Sequence, residues 1–164
     1  GWLFLFVLGR IHRNLNQFDA STVSLPLSNN EISLPTLSKS ERLCLKKDIG
    51  LLFEEGEKWH GYPFRVLLRK ENIESENSSA SMLVSVAKRN FKHATDRNRL
   101  KRQIREAYRL NKEILFSHLN DRPSENGSIQ IHIGFIYTAK TMESWEVIRK
   151  RMVRLLQEIV EKTI

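Results

Sequence analysis

Side chains that can bind phosphate are concentrated in one segment of the sequence. Residues 88–112 contain ten lysines and arginines and two acidic residues, a net charge of +8. The whole chain has 27 basic and 19 acidic residues, also a net charge of +8, so the rest of the chain is neutral in sum. Charge gathered on one element attracts polyanions. We therefore expect a nucleic-acid partner; the alternative is a solvated basic face with no specific partner.

Arginine predominates in this segment, which favours RNA. A guanidinium group can bind phosphate oxygens in pairs, stack on bases and keep its charge at any relevant pH. Arg97, Asn98 and Arg99 fall at a predicted helix start, where unpaired backbone N–H groups also favour anions. The predicted RNA-binding residues are Lys88, Arg89, Lys92, Arg97, Asn98, Arg99, Lys101, Arg102, Arg105 and Arg109.

The same segment has the pattern of an amphipathic helix. Thr95 and Asp96 are both plausible caps, and the chain from there to about His118 contains no Gly or Pro. At about 100° per residue, one face would carry Leu100, Ile104, Ala107, Leu110 and Ile114, and the opposite face Lys101, Arg102, Arg105, Arg109 and Lys112. A basic helix of this kind can also lie on a membrane. Here the flanking strands are expected to cover its apolar face instead.

No catalytic or metal-binding residues are predicted in the protein. A protein nuclease needs clustered carboxylates for Mg²⁺ or a histidine-based acid and base, but the acidic residues and the five histidines are dispersed. We expect Asp96 to act as a cap and Glu106 to pair with Arg102 or Arg109. The single cysteine, Cys44, excludes an intrachain disulfide, fits a reducing cytoplasm and is expected to be a buried residue on a helix.

The first 36 residues differ from the rest of the chain. Trp2 to Leu8 is an apolar run of seven residues, too short to span a bilayer. It lacks the preceding basic residue and the clear cleavage site of a signal peptide; a signal-peptide core is the alternative. We expect residues 1–36 to be a poorly ordered N-terminal extension and residues 37–164 to form the RNA-binding domain.

The remaining pattern predicts an α+β fold, an α/β sandwich with a single sheet. A helix capped by Ser38 or Ser40 would carry Leu43, Leu45, Ile49, Leu52 and Phe53 and end near Gly56. Strands are predicted at 64–68, 81–87 and 129–137, with loops at 72–79 and 121–127, and a last helix at 142–160. The predicted order is α-β-β-(β)-α-β-α, with about four strands in one mixed sheet.

Two stretches closely resemble the signature of the protein component of bacterial ribonuclease P. They are V-S-V-A-K-R at residues 84–89 and A-T-D-R-N-R-L-K-R-Q-I-R-E-A-Y-R at residues 94–109. The first helix is similar as well, with L-S-K-S-E-R-L at residues 37–43 followed by Asp48, Phe53 and Gly56. The similarity extends over residues 37–161.

This resemblance implies a specific function. Members of the family bind a large catalytic RNA, and the complex removes the 5′ leader of precursor tRNA in the cytoplasm, with the RNA and its Mg²⁺ ions performing the hydrolysis. The basic helix would face the RNA subunit, and no membrane or further protein partner is implied. The family fold contains a left-handed βαβ crossover, contrary to the usual handedness. A free-standing RNA-binding or ribosomal-type protein is the alternative function. A membrane-associated amphipathic protein anchored by Trp2 to Leu8 is a third hypothesis.

The family also holds the single-stranded leader in a cleft between the sheet and the first helix. By resemblance, the cleft residues are Ile49, Phe53, Phe64 and Leu67, with Tyr62 as a further candidate. Ile49 and Leu67 stand where the family often has aromatic side chains. Stacking on an aromatic ring contributes about 1 to 3 kcal/mol per base, so leader binding is expected to be weaker or to depend on Phe53 and Phe64. Core packing is the alternative role for these two rings.

Overall fold

The order of helices and strands agrees with the α+β prediction. The computed structural model describes residues 36–75, 77–120 and 128–163, which belong to one compact unit spanning residues 34–164. The predicted extension, apart from residue 36, and the predicted 121–127 loop lie outside the described residues. The elements are α1 (Lys46–Glu55), β1 (Glu57–Gly61), β2 (Phe64–Ile73), β3 (Ser79–Val86), α2 (Ala94–Asn111), α3 (Glu113–Asn120), β4 (Ser128–Tyr137) and α4 (Trp145–Thr163).

The described strands form a single mixed sheet in the order β1-β2-β4-β3. β2 pairs antiparallel with β1 and β4, whereas β3 and β4 are parallel, with Ser79 opposite Gln130 and Val86 opposite Tyr137. Parallel neighbours need a long crossover, and here α2 and α3 provide it. The βαβ unit is therefore present, and its left-handed sense remains an implication of the family resemblance.

The two faces of the sheet are covered differently. Alternate residues of β2, β3 and β4, among them Val66, Met82 and Ile133, join buried residues of α2, α3 and α4 in the main core. On the other face, α1 packs on a small cluster of Leu43, Leu52 and Leu67. A Cβ atom at Gly134 would lie 3.2 Å from the Leu67 Cβ atom and 3.3 Å from a Leu52 methyl group, so glycine permits this close approach.

The first helix begins later than the sequence pattern predicts. It starts at Lys46 instead of near Ser38 or Ser40, because the preceding residues pair with the edge of β3. The Met82 N–H donates to the Glu41 carbonyl at 2.9 Å, and the Leu43 N–H donates to the Met82 carbonyl at 3.0 Å. An edge strand has unpaired backbone groups that favour such pairing. Cys44 consequently lies before the helix and is exposed, so the prediction of a buried helical cysteine was wrong.

The basic helix is divided at Lys112. α2 begins at Ala94, and His93 occupies the N-cap position without a side-chain cap bond, so neither Thr95 nor Asp96 is the cap. α3 follows from Glu113 as a separate helix. Leu100, Ile104 and Ala107 are fully buried as predicted, but Leu110 is 43% exposed. Tyr108, one turn after Ile104, is buried in its place.

Candidate RNA-binding surface

The predicted phosphate-binding residues lie mainly on the outer side of α2 and in the loop before it. Seven of these side chains are exposed, and an eighth, Lys101, is half-buried. Their apolar neighbours Leu100 and Ile104 point into the core, so the helix separates charge from core as the pattern indicates. We call this set the basic surface: Lys88, Arg89, Lys92, Asn98, Arg99, Lys101, Arg102 and Arg105.

A groove crosses the first two turns of α2. It has a volume of about 440 Å³ and is lined by Thr95, Asn98, Arg99, Arg102 and Gln103. Guanidinium groups and the start of a helix both favour anions there. The groove is therefore suited to a phosphate group of RNA.

Three basic residues were predicted to face outward but instead bond to other groups of the same chain. Arg97 Nη1 donates to the carbonyl oxygens of Phe91 at 2.9 Å and Lys92 at 2.7 Å. Arg109 Nη2 lies 2.6 Å from Glu106 Oε1, and this hydrogen-bonded partner lowers the pKa of Glu106. The prediction that Glu106 pairs with Arg102 or Arg109 is thus confirmed for Arg109.

Lys112 is the third of these residues. Its Nζ atom lies 2.5 Å from Glu41 Oε1 and donates to the Thr36 carbonyl at 2.5 Å. Both side chains of the ion pair are largely buried, with 12% and 15% of their surface exposed. Lys112 therefore ties the end of α2 to the segment that precedes α1.

The sheet face beside α1 has fewer aromatic side chains than the family resemblance implies. Phe53 is 41% exposed, whereas Ile49 is half-buried against the small cluster and Leu67 is 1% exposed within it. Leu83 and Ile136 also pack against this cluster, although neither was predicted from the sequence to line the cleft. Residues two apart on a strand share a face, and this rule could have found both from the strand positions.

Phe64 lies on the opposite face of the sheet and is fully buried. Its ring packs edge-on against Phe135 and Tyr137, with centroid distances of 6.3 and 5.7 Å. The expectation that Phe64 lines the cleft is therefore corrected: it is a core residue. Tyr62 is 65% exposed, but its hydroxyl donates to Glu143 before α4 at 2.5 Å, away from α1.

In residues 36–75, 77–120 and 128–163, no group of three His, Cys, Asp or Glu side chains is placed to hold a metal ion. No helix within those same ranges combines the length and apolar character needed to cross a membrane.

Comparison with known proteins decides the family. The model of the family described as Ribonuclease P matches residues 37–160. The chain belongs to the ribonuclease P protein family. A ribonuclease P protein component from Porphyromonas gingivalis is 42% identical over 125 residues, covering 75% of this chain and 85% of the relative. One from Chlorobium phaeobacteroides is 33% identical over 128 residues, covering 76% and 88%.

A solved structure supports the same ribonuclease P fold. The ribonuclease P protein from Thermotoga maritima is 27% identical, with a TM-score of 0.52, and the match covers 72% of this chain and 96% of that one. The sheet and helices described above are therefore those of the ribonuclease P protein fold. Most of the basic surface lies on its crossover helix α2, and the rest in the loop before it.

Proposed function

We propose that this chain is the protein subunit of ribonuclease P and takes part in maturation of the tRNA 5′ end. In this role it binds the catalytic RNA and the 5′ leader of precursor tRNA and assists endonucleolytic removal of that leader. Family membership supports the assignment. The single structural observation that carries the mechanism is the exposure of the basic surface along one side of α2.

The basic surface acts by charge and position. Arg99, Arg102 and Arg105 are exposed and can neutralise phosphates where the catalytic RNA and the substrate approach each other. This neutralisation reduces the repulsion between two polyanions. Mg²⁺, held mainly by the RNA subunit, would supply the activated water and the stabilisation of the leaving oxygen. The protein then contributes binding and orientation and no catalytic residue.

The face beside α1 is the proposed contact for the leader. Phe53 offers an exposed ring for a single-stranded base, and the neighbouring apolar residues Ile49 and Ile136 provide partly buried surface. With one exposed ring on α1, leader binding would depend on Phe53 more than on a row of stacking residues. The cytoplasm is the proposed location, and no membrane or additional protein partner is required for this function.

Reconstitution tests the proposal. The protein is added to a bacterial ribonuclease P RNA at a Mg²⁺ concentration too low for efficient cleavage by the RNA alone, with precursor tRNA as substrate. We expect accurate 5′ cleavage to appear only with the protein present. A free-standing RNA-binding protein, the alternative function, would bind both RNAs and leave the cleavage rate unchanged.

A further inference from the structure

A second groove lies where α2 meets α4. It has a volume of about 440 Å³ and is lined by Arg102, Gln103, Glu106 and Trp145. Arg102 and Gln103 also line the groove over the start of α2, which includes Arg99. The two grooves are therefore adjacent, and together they place two guanidinium groups and an indole ring along one path.

The side chains of the second groove have complementary chemistry for a nucleotide. Trp145 is half-buried, packs against the main core and lines the groove. An indole ring is a stacking platform for any base, and arginine adds attraction to phosphate. Glu106 is held by Arg109 through contacts of 2.8 and 2.6 Å, so its negative charge is offset there. Its remaining lone pairs can accept hydrogen bonds from the amino group of a base.

Gln103, which also lines this groove, has a buried amide oxygen. Its Oε1 atom is buried and has no hydrogen-bond partner among the residues that the structure describes. A buried polar atom without a partner is unfavourable, and such atoms are uncommon in folded proteins. A small rotation of the amide beside the groove would let it bond to the edge of a base.

We propose that the groove between α2 and α4 binds one unpaired nucleotide of the catalytic RNA. The base stacks on Trp145, and the flanking phosphates contact Arg99 and Arg102. The inference rests on the proposed function and extends it to a base-binding site that the basic surface does not include. Glu106 accepts hydrogen bonds and cannot donate them while ionised, so the base must present a donor to it, such as an amino group or a ring N–H.

The position of the groove favours the catalytic RNA over the leader. α2 and α4 cover the main-core face of the sheet, whereas α1 and Phe53 lie on the opposite face. A leader bound beside α1 would therefore be on the other side of the sheet from Trp145. The groove instead continues the basic surface of α2, which is the proposed contact for the catalytic RNA.

Substitutions of Trp145 test the site through the affinity for ribonuclease P RNA and the dependence of that affinity on salt. Trp145→Leu keeps an apolar contact with the core and removes the ring, and Trp145→Phe keeps a ring. We expect Trp145→Leu to weaken binding to ribonuclease P RNA by about fivefold or more, with Trp145→Phe closer to wild type. The slope of log affinity against log salt should not change, because no phosphate contact is lost. Arg102→Ala, as the charged comparison, should flatten that slope by about 0.7 to 0.9. A folded Trp145→Leu protein with wild-type affinity overturns the inference.

Fluorescence provides a measurement that does not depend on the folding of that variant. Trp2→Phe and Trp59→Phe together leave Trp145 as the single tryptophan of the chain. We expect its emission to be quenched by ribonuclease P RNA and unaffected by precursor tRNA, with or without leader. Unchanged emission at saturating ribonuclease P RNA, or quenching by precursor tRNA alone, contradicts the site.

The outcome for this site is separable from the proposed function. If Trp145 is insensitive to the RNA while the wild-type protein still confers 5′ cleavage at low Mg²⁺, only the base-binding inference fails. If the wild-type protein neither binds ribonuclease P RNA nor confers cleavage, both fail.

Discussion

Arg97 is bonded to the backbone that leads into its own helix. Its Nη1 atom donates to the carbonyl oxygens of Phe91 at 2.9 Å and Lys92 at 2.7 Å, so the guanidinium holds the loop before α2 against the start of the helix. Arg99, two residues later, is exposed. The two arginines of the R-N-R motif therefore have different structural positions, and we expect different consequences when each is removed.

Replacing Arg97 should affect the fold, whereas replacing Arg99 should affect RNA binding. Arg97→Ala removes two hydrogen bonds from a charged donor and should lower the free energy of unfolding by about 1 kcal/mol. Arg99→Ala should leave stability within about 0.5 kcal/mol of wild type and reduce the salt slope of RNA binding by about 0.7 to 0.9. Urea unfolding and RNA titrations at several salt concentrations measure the two effects. Equal loss of stability in both variants would contradict this division.

Removing four charges from the basic surface should raise the Mg²⁺ concentration needed for leader removal. The variant carries alanine in place of Arg99, Lys101, Arg102 and Arg105, and fewer phosphates are then neutralised by the protein. Cleavage by the reconstituted complex is measured over a range of Mg²⁺ concentrations.

A control with the same loss of charge separates position from net charge. Four exposed basic residues on or near α4 are replaced by alanine: Lys140, Arg149, Lys150 and Arg154. We expect the control to need less additional Mg²⁺ than the variant of the basic surface. An equal shift for both would show that only the total charge matters.

Phe53 and Phe64 should have separable roles. Phe53→Ala removes an exposed ring and should weaken binding of precursor tRNA with a leader by about 1 kcal/mol or more, with little effect on leaderless tRNA. Phe64→Leu should lower the free energy of unfolding by about 1 to 2 kcal/mol and leave the preference for the leader unchanged. Affinities of the reconstituted complex for both substrates provide the measurement. Loss of leader preference in a folded Phe64→Leu protein would restore Phe64 to the cleft.

His132 should make the fold less stable at acidic pH. It is 6% exposed, and its Nδ1 atom is 2.8 Å from the Ser81 hydroxyl. Burial lowers the pKa of His132, and Arg69 lowers it too, while Asp48 and Glu71 act in the opposite direction. Below about pH 6.5 the imidazole of His132 binds a proton more readily in the unfolded chain than in the folded chain. The free energy of unfolding therefore falls as the pH decreases.

Urea unfolding at pH 7.5 and pH 5.5 tests this expectation. The difference in stability between the two conditions should be smaller in His132→Gln than in wild type. His60 is exposed, so His60→Gln should retain the wild-type difference. A His132→Gln protein with an unaltered difference would exclude burial of this imidazole as a cause of acid sensitivity.

The spacing of apolar residues predicted the strands and helices that bury one face in the main core. The buried apolar side chains of β4, including Ile129 and Ile133, and those of α4, including Ile148 and Met152, lie on the predicted core side. β1 was harder to predict because it is an edge strand with the sequence E-K-W-H-G, where charged residues are usual. Strand alternation, applied strictly, would also have placed Phe64 and Leu67 on opposite faces.

Other features depend on tertiary contacts that no local pattern shows. The break at Lys112 contains no Gly or Pro, and Lys112 instead contacts Glu41, 71 residues away in sequence. The pairing of Leu43 with Met82 likewise replaces the first turn of a predicted helix. Of the proposed site, the basic residues were predictable from composition, whereas the groove at Trp145 depends on how α4 packs beside α2.

The strand order has a consequence for synthesis of the chain. β4 lies between β2 and β3, so neither of those strands gains its inner neighbour until residues 128–137 have been made. Until then the nascent chain has the β1–β2 hairpin and a β3 strand that is not joined to it. The apolar faces of these strands are not yet fully covered. Such incomplete intermediates are prone to aggregation. Completion of the sheet is therefore a late event on the ribosome, and a polypeptide truncated before β4 should be a substrate for chaperones and proteases.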